Sequence, residues 1–114
     1  MPDCIFCRIA SGEIPSTRVG ETPHCVAFRD LQPQAPTHVL LIPREHVAVS
    51  AAELGESHAE LLGEIYALAA RVARDEGLAR GWRLVTNVGP DGGQTVPHVH
   101  FHLLGGRALQ WPPG

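Results

Sequence analysis

The sequence contains no lysine, and all nine of its basic residues are arginine. A P-loop needs a lysine to contact phosphate, and Schiff-base catalysis needs a lysine amine, so both kinds of site are excluded. Twelve acidic residues give a formal net charge of -3, which provides no general attraction to nucleic acid or to anionic membranes. We therefore expect neither as a partner.

Long hydrophobic runs are also lacking. No apolar stretch approaches the roughly 18 residues of a membrane span. The first residues, Met1-Pro2-Asp3, do not open a basic region followed by an apolar one, as a secretory signal would. Three cysteines, an odd number, make a disulfide framework unexpected. These features predict a cytoplasmic protein.

The composition is that of a globular protein. Hydrophobic residues make up 44% of the 114 residues and charged residues 18%, which fits one compact domain over residues 1–114. Local patterns predict a short helix over residues 4–11 and strands over 24–29, 38–42, 82–88 and 98–104.

The clearest helix is predicted over residues 57–77. Ser57 and Glu60 have the spacing of a capping box, and Gly77 is a suitable stop. An apolar stripe at helical spacing follows the cap, at Leu61, Ile65, Leu68 and Val72. One long helix among several strands with short connections predicts an α+β fold, with an antiparallel sheet of about five strands packed on the helix.

Three histidines alternate with apolar residues in His98-Val99-His100-Phe101-His102. Because a strand has a period of two, the three imidazoles are expected on one face and the apolar residues on the other. The pattern has three interpretations: a solvated polar face, a three-histidine metal site, or a catalytic strand. Imidazole is a good nucleophile when neutral, and a neighbouring histidine can bind phosphoryl oxygens or protonate a leaving group.

The segment His98–Leu104 resembles the His-φ-His-φ-His-φ-φ signature of the histidine triad nucleotide-binding family, where φ is apolar. The likeness to the Hint-like branch of that family extends over nearly the whole chain in order. It is carried by Cys4–Ile9, Gly12–Pro15, Phe28–His38, Ile42–His46, Gly92–Thr95 and the ending Leu104-Gly-Gly-Arg…Trp111–Gly114.

The resemblance implies a nucleotidyl-histidine intermediate that water then hydrolyses. The middle histidine, His100, would be the nucleophile, and His102 would contact the phosphate and the leaving atom. Thr95 and Asn87 match positions that hydrogen-bond the phosphate or the leaving group. His38 matches a supporting histidine that orders the triad.

The resemblance also implies a nucleotide site. Asp30 would bind the ribose hydroxyls, and the backbone amides near Gly93 and Gln94 would assist at the phosphate. Four apolar residues match the walls of the base slot, namely Phe6, Ile9, Phe28 and Leu31. From the residues alone, apolar residues at such positions are more often part of the core.

Cys4-x-x-Cys7 is by itself a weak metal signal, and two reduced thiols are the alternative. The resemblance implies a structural zinc ion bound by Cys4, Cys7, His46 and His98. Four protein ligands close a tetrahedral site, so such an ion would hold the fold together rather than react. Cys25, in an apolar strand, is interpreted as a core thiol.

The resemblance thus predicts an enzyme that hydrolyses nucleoside phosphoramidates or related nucleoside 5'-phosphate derivatives, with a purine nucleotide such as AMP as its ligand. Two alternatives stay open: a dinucleoside polyphosphate hydrolase, and a non-catalytic purine-nucleotide-binding module. A homodimer with a continuous sheet is also implied. The stripe from Leu61 to Val72 would form part of its interface, or would simply bury the helix within one subunit.

Overall fold

The computed structural model describes residues 3–114 of the chain. The elements in chain order are α1 (Ile5–Ala10), β1 (Arg18–Glu21), β2 (Cys25–Arg29), β3 (Thr37–Pro43), α2 (Ala59–Asp75), β4 (Trp82–Val85) and β5 (Phe101–Gly105), with short 3-10 turns at Ala51–Glu53 and Glu56–His58. The five strands form one sheet in the order β1-β2-β3-β5-β4, and every neighbouring pair is antiparallel. The predicted α+β class is confirmed.

Both faces of the central strands are buried, and they face different partners. In β2 and β3, one alternate set of residues packs against α2, as Ala27 and Leu41 do. The other set, which includes Phe28 and Leu40, packs against α1. In β5, His102 lies opposite Leu40 in the register, on the α1 side of the sheet. The long helix and the histidine cluster therefore occupy opposite faces.

The helix α2 covers its face of the sheet with the predicted apolar stripe. Ile65, Leu68 and Val72 are each 1% exposed, and Leu61 packs at the edge of the same cluster. Of the two interpretations of the stripe, dimer interface or contact within one subunit, the structure shows the second, because the stripe packs against the sheet of its own chain. At about 2 kcal/mol for each buried aliphatic side chain, this contact is a major source of stability.

The predicted end of α2 is confirmed, and its predicted start is wrong. Gly77, with φ +72°, forms the left-handed turn after the helix, and the Gly77 and Leu78 N–H groups donate to the carbonyls of Arg74 and Ala73. At the other end, the chain makes a 3-10 turn before the helix begins at Ala59. In place of a Ser57–Glu60 box, the Gly55 N–H donates to Nδ1 of His58 (3.1 Å).

The strand predicted over residues 98–104 is shorter than expected, because β5 begins only at Phe101. Continuing the register would place Val99 opposite Pro43, which has no N–H to donate. The Val99 N–H bonds the carbonyl of Ala48 instead, and the Pro43 carbonyl accepts from the His98 ring. Only His102 of the three histidines therefore lies within the regular strand, although Phe101 and Leu103 do face α2.

Two further differences concern the sheet edges. The strand predicted over 82–88 ends at Val85, and the next residue, Thr86, donates its hydroxyl hydrogen to the His100 carbonyl (2.7 Å). The edge strand β1 was not predicted, since its four residues include Gly20 and show no alternation. A Cβ at Gly20 would lie 3.0 Å from Leu68, so the glycine lets the edge strand approach α2 closely. Within residues 3–114, no helix has the length and apolarity needed to cross a membrane.

Candidate active site

His100 is buried beside the cavity described below, and its hydrogen bond fixes which ring nitrogen is free. Its Nδ1 lies 2.7 Å from the carbonyl oxygen of His98. A carbonyl only accepts, so Nδ1 carries the proton of the neutral ring and Nε2 keeps its lone pair. The ring packs edge-on against Phe6 (4.9 Å between centroids), which holds its plane. The hydrogen bond thus directs Nδ1 toward the carbonyl and leaves Nε2 as the nitrogen available for reaction.

His102 is joined to His38 by a second fixed contact. The Gln34 N–H donates to Nδ1 of His38 (3.0 Å), so the proton of the neutral His38 ring is on Nε2. That Nε2 lies 2.9 Å from Nδ1 of His102, and donation to this nearer acceptor leaves the N–H of His102 on its own Nε2. Burial, helped by the nearby His100 and His38, lowers the pKa of His102 to about 4. His102 is thus a neutral hydrogen-bond donor at neutral pH.

A cavity of about 430 Å³ opens beside these two rings, a volume in the range of small-molecule sites. Eight of the predicted site residues line it: Phe6, Ile9, Phe28, Asp30, Leu31, Thr95, His100 and His102. Phe6, Ile9 and Phe28 also belong to the α1-side core, so the same residues line the cavity and pack in the core. Leu31 stands at the rim and is 96% exposed.

Asp30 reaches the cavity from the end of β2. One carboxylate oxygen, Oδ1, accepts from the Gln32 N–H (2.8 Å), which fixes the orientation of the group. The other, Oδ2, lies 3.4 Å from Nε2 of His38. Asp30 and the imidazole pair therefore form one connected row at the cavity wall.

Asn87, Gly93 and Gln94 do not line the cavity. The N–H groups of Gly93 and Gln94 donate to the carbonyls of Pro90 and Gly89 within their own loop. The Gln94 side chain braces this loop as well, since its Nε2 donates to the carbonyls of Val49 and Val96 and its Oε1 accepts from Gly89. In this arrangement the two amides already have acceptors, and Thr95 is the residue of the loop that reaches the cavity together with Val96.

Several cavity residues were not predicted from the sequence. The connection after α1 supplies Ile14, Pro15 and Ser16, and further apolar lining comes from Ile5, Leu40 and Val96. In the sequence, the segment Gly12–Pro15 contributes to the family resemblance and carries no site prediction of its own. The sequence signal that could have predicted these lining residues is the proline turn that follows the predicted helix, close to the predicted base slot.

Cys4, Cys7, His46 and His98 converge at one end of the triad segment, on the side away from His102. Their ligating atoms all lie within 4.8 Å of one another, so the four residues could hold a metal ion. Nδ1 of His98 lies 3.2 Å from Cys4 Sγ and 3.6 Å from Cys7 Sγ, and Nδ1 of His46 lies 3.6 Å from Cys7 Sγ. The fold thus brings together the four ligands predicted from the sequence, of which Cys4 and His98 are 94 residues apart in the chain.

The donor set and its spacing fit a tetrahedral ion. Zinc bond lengths of about 2.3 Å to sulfur and 2.0–2.1 Å to nitrogen imply sulfur–nitrogen distances of about 3.6 Å, close to those found. The Pro43 carbonyl accepts from Nε2–H of His98 (3.1 Å), which leaves Nδ1 unprotonated toward the sulfurs. Burial lowers the pKa of His98 to about 4 and also raises the pKa of Cys7. The imidazole is therefore held in the neutral form that a metal binds.

Asp30, His38 and His102 also place three possible ligand atoms within 4.8 Å of one another. Two nitrogens bound to one tetrahedral zinc ion would be about 3.3 Å apart. The His38 and His102 nitrogens lie 2.9 Å apart, as a hydrogen bond requires. We therefore describe this group as a hydrogen-bonded row and not as a metal site.

Comparison with known proteins agrees with this geometry. Residues 11–109 match the HIT domain family. The chain is 50% identical to a protein of Arabidopsis thaliana named adenylylsulfatase HINT1, over 96% of this chain and 76% of that protein. It is also 50% identical to a 14 kDa zinc-binding protein of Zea mays, over 96% of this chain and 87% of that protein.

A solved structure has nearly the same fold. The crystal structure of a HIT family hydrolase from Legionella pneumophila superposes with a TM-score of 0.94 at 51% identity, and the match covers 98% of this chain and all of that one. With the family matched over most of its length and relatives at half identity, this chain belongs to the HIT domain family, in its Hint-like branch.

Proposed function

We propose that this protein hydrolyses nucleoside phosphoramidates or related nucleoside 5'-phosphate derivatives, with His100 as the nucleophile. The observation that carries the proposal is the Nδ1–H bond from His100 to the His98 carbonyl (2.7 Å). It leaves Nε2 of a buried ring available beside a nucleotide-sized cavity.

In the first step, the Nε2 lone pair of His100 forms a bond to the α-phosphorus, and the bond from phosphorus to the leaving nitrogen or oxygen breaks. The N–H of His102 donates a hydrogen bond to the phosphoryl oxygens or to the leaving atom, which stabilises the charge that develops there. The leaving atom takes its proton through His102 or the Thr95 hydroxyl. Both residues line the cavity together with His100.

In the second step, water attacks the same phosphorus and the bond to His100 breaks. The water supplies the new P–OH group, and its other proton restores the one given up in the first step. The products are the amine, or other leaving group, and a nucleoside monophosphate. His38 acts through His102 and is a positioning residue in this scheme.

The cavity walls support a nucleoside as the bound group. Asp30 would accept from the ribose hydroxyls, since a carboxylate is a good acceptor for paired donors. Phe6, Ile9 and Phe28 would enclose the base, with Leu31 at the rim. Asn87 and the backbone near Gly93 and Gln94 remain proposed phosphate contacts, and for the two amides this requires the loop to exchange its internal hydrogen bonds on binding.

We further propose that the metal held by Cys4, Cys7, His46 and His98 is zinc. Two thiolates and two imidazoles are the ligands of structural zinc sites, and the Zea mays relative carries zinc binding in its name. When bound, the ion supplies a cross-link and no reactive position, because four protein ligands complete its shell. It would tie α1 to the segment that carries His100.

A homodimer with a continuous sheet is also proposed. The strand β4 lies at an edge of the sheet and begins at Trp82. The ring of Tyr66, which is 58% exposed, lies 6.3 Å from the Trp82 ring between centroids. An uncovered edge strand with aromatic neighbours is suited to pairing with a second copy. Sedimentation equilibrium tests this: a mass of one chain across the concentration range refutes it.

The direct test of the proposed function is release of AMP from an adenosine phosphoramidate by purified protein, beside a His100→Asn variant. We expect turnover in the wild type and a loss of about 10,000-fold or more in the variant, with AMP binding retained. Dinucleoside polyphosphate and adenylyl sulfate belong in the same panel, the latter because the Arabidopsis thaliana relative is named an adenylylsulfatase. Binding of AMP without turnover of any of these would favour the non-catalytic binding module.

A further inference from the structure

Asp30, His38 and His102 form a row that runs from the proposed ribose site to the phosphate site. Oδ2 of Asp30 lies 3.4 Å from Nε2 of His38, and the same Nε2 lies 2.9 Å from Nδ1 of His102. His38 is 5% exposed, so water does not substitute freely for either partner. The two ends of the row face the same cavity.

His38 has one hydrogen for two acceptors. The Gln34 N–H occupies its Nδ1 (3.0 Å), which excludes the other neutral tautomer. Burial lowers the pKa of His38 although Asp30 opposes the shift, so the ring is neutral at pH 7 and carries a single N–H. The imidazole nitrogen of His102 is the nearer acceptor, and the carboxylate of Asp30 is the stronger one.

The destination of this hydrogen decides the state of His102. When His38 donates to Nδ1 of His102, the proton of the neutral His102 ring must be on Nε2, where it can donate to a phosphoryl oxygen or a leaving atom. When His38 donates to Asp30, Nδ1 of His102 loses its partner and the other tautomer becomes accessible. That tautomer turns a lone pair toward the phosphate, which repels it.

We propose that ribose recognition at Asp30 sets the tautomer of His102, so that the 2'- and 3'-hydroxyls of a ribonucleotide promote the chemical step and not only binding. Hydroxyl donors on Oδ2 of Asp30 satisfy the carboxylate and remove it as a competitor for the His38 hydrogen. The substrate class is thereby a ribonucleotide derivative with a free 2',3'-diol. This inference rests on the proposed function.

The kinetic test separates kcat from KM. Adenosine phosphoramidate is compared with its 2',3'-dideoxy analogue in the wild type, in His38→Gln and in Gln32→Ala. In the wild type we expect loss of the hydroxyls to raise KM and to lower kcat about tenfold, which corresponds to about one well-placed hydrogen bond in the transition state.

The variants distinguish the row from the rest of the cavity wall. In His38→Gln the row is interrupted, so the dideoxy analogue should still have a higher KM while its kcat matches that of the ribonucleotide. Gln32 lines the same cavity, and its hydrogen bond to Asp30 comes from the backbone N–H, which Gln32→Ala keeps. This variant should therefore retain the wild-type dependence of kcat on the hydroxyls. Equal kcat values for the two substrates in the wild type would overturn the inference.

A second readout does not depend on turnover. Nitrogen-15 NMR of labelled histidine reports which His102 nitrogen is protonated when AMP or 2',3'-dideoxy-AMP is bound. We expect the Nε2–H tautomer alone with AMP and a mixture with the dideoxy nucleotide. The same tautomer population with both nucleotides refutes the row as a coupling device. If AMP fails to bind at all, the proposed function fails with the coupling. If AMP binds and turnover occurs but both nucleotides give the same tautomer population, only the coupling is refuted.

Discussion

Removal of the metal from the Cys4, Cys7, His46 and His98 cluster should lower the stability of the whole domain. The cluster joins residues 94 apart, Cys4 and His98. A cross-link that closes a loop of this length stabilises the folded state by about 4.7 kcal/mol at 25 °C in the chain-entropy account. A metal link is reversible, and thiols of the unfolded chain also bind metal, so we expect about 2–4 kcal/mol. For a domain of this size that corresponds to a fall in Tm of about 8–16 °C.

The assay compares urea and thermal unfolding with and without a strong zinc chelator, together with the zinc content of the purified protein. Cys7→Ser should lose the metal, show the lower Tm and no longer respond to the chelator. Cys25→Ala is the matched control, because Cys25 is fully buried in β2 and outside the cluster. It should be less stable than the wild type through lost packing, yet keep the full chelator response.

Loss of the metal should also loosen the ring of His100, because two contacts connect that ring to the metal cluster. The carbonyl of His98 holds Nδ1–H of His100, and Phe6, between Cys4 and Cys7, packs on the His100 ring. Chelation should therefore broaden the His100 ring signals in NMR. A purified protein without metal, or one whose Tm is unchanged by the chelator, would refute the structural role of the cluster.

Three further predictions test other parts of the account. The pKa of His102 is lowered to about 4, so between about pH 6.5 and 4 the unfolded chain binds a proton there that the folded chain does not. The free energy of unfolding of the wild type should therefore decrease as the pH is lowered through that window. In His102→Gln, urea unfolding should show a weaker dependence of this free energy on pH. A Cβ at Gly105 would lie 2.6 Å from Leu78, so Gly105→Ala should cost about 1–3 kcal/mol, and less in a Leu78→Ala background measured in a double-mutant cycle. Thr86→Val removes the hydroxyl that donates to the His100 carbonyl. It should lower kcat more than KM while leaving the free energy of unfolding within about 1 kcal/mol of the wild type.

The fold class followed from the sequence because hydrophobic periodicity is local. The stripe on α2 and the apolar strand β3 are visible in consecutive residues, and the structure confirms both elements. The edge strand β1 could not be found in this way, since Gly20 is selected by the approach of α2 and not by its neighbours in sequence. The early end of regular pairing at Phe101 likewise depends on Pro43, a residue of a different strand.

In the candidate site as well, features carried by residue types were predictable, and features set by the folded backbone were not. The alternating histidines suggested a catalytic strand as one of three interpretations, and the family resemblance implied His100, His102 and the four metal ligands. The structure brings each set together. The Gln34 N–H that fixes the His38 tautomer could not be predicted, because every residue has a backbone N–H and only the fold decides its partner. The hydrogen bonds that engage the Gly93 and Gln94 amides within their own loop were missed for the same reason.

The central claim is a covalent nucleotidyl intermediate on His100. Its most direct test is a rapid base-quenched single turnover with an α-phosphorus-labelled adenosine phosphoramidate, followed by peptide mapping at alkaline pH. We predict transient label in base-stable, acid-labile linkage on the peptide that contains His98–His102, and none in His100→Asn. Full turnover with no protein-bound label at any time, or label that persists in His100→Asn, would contradict the account.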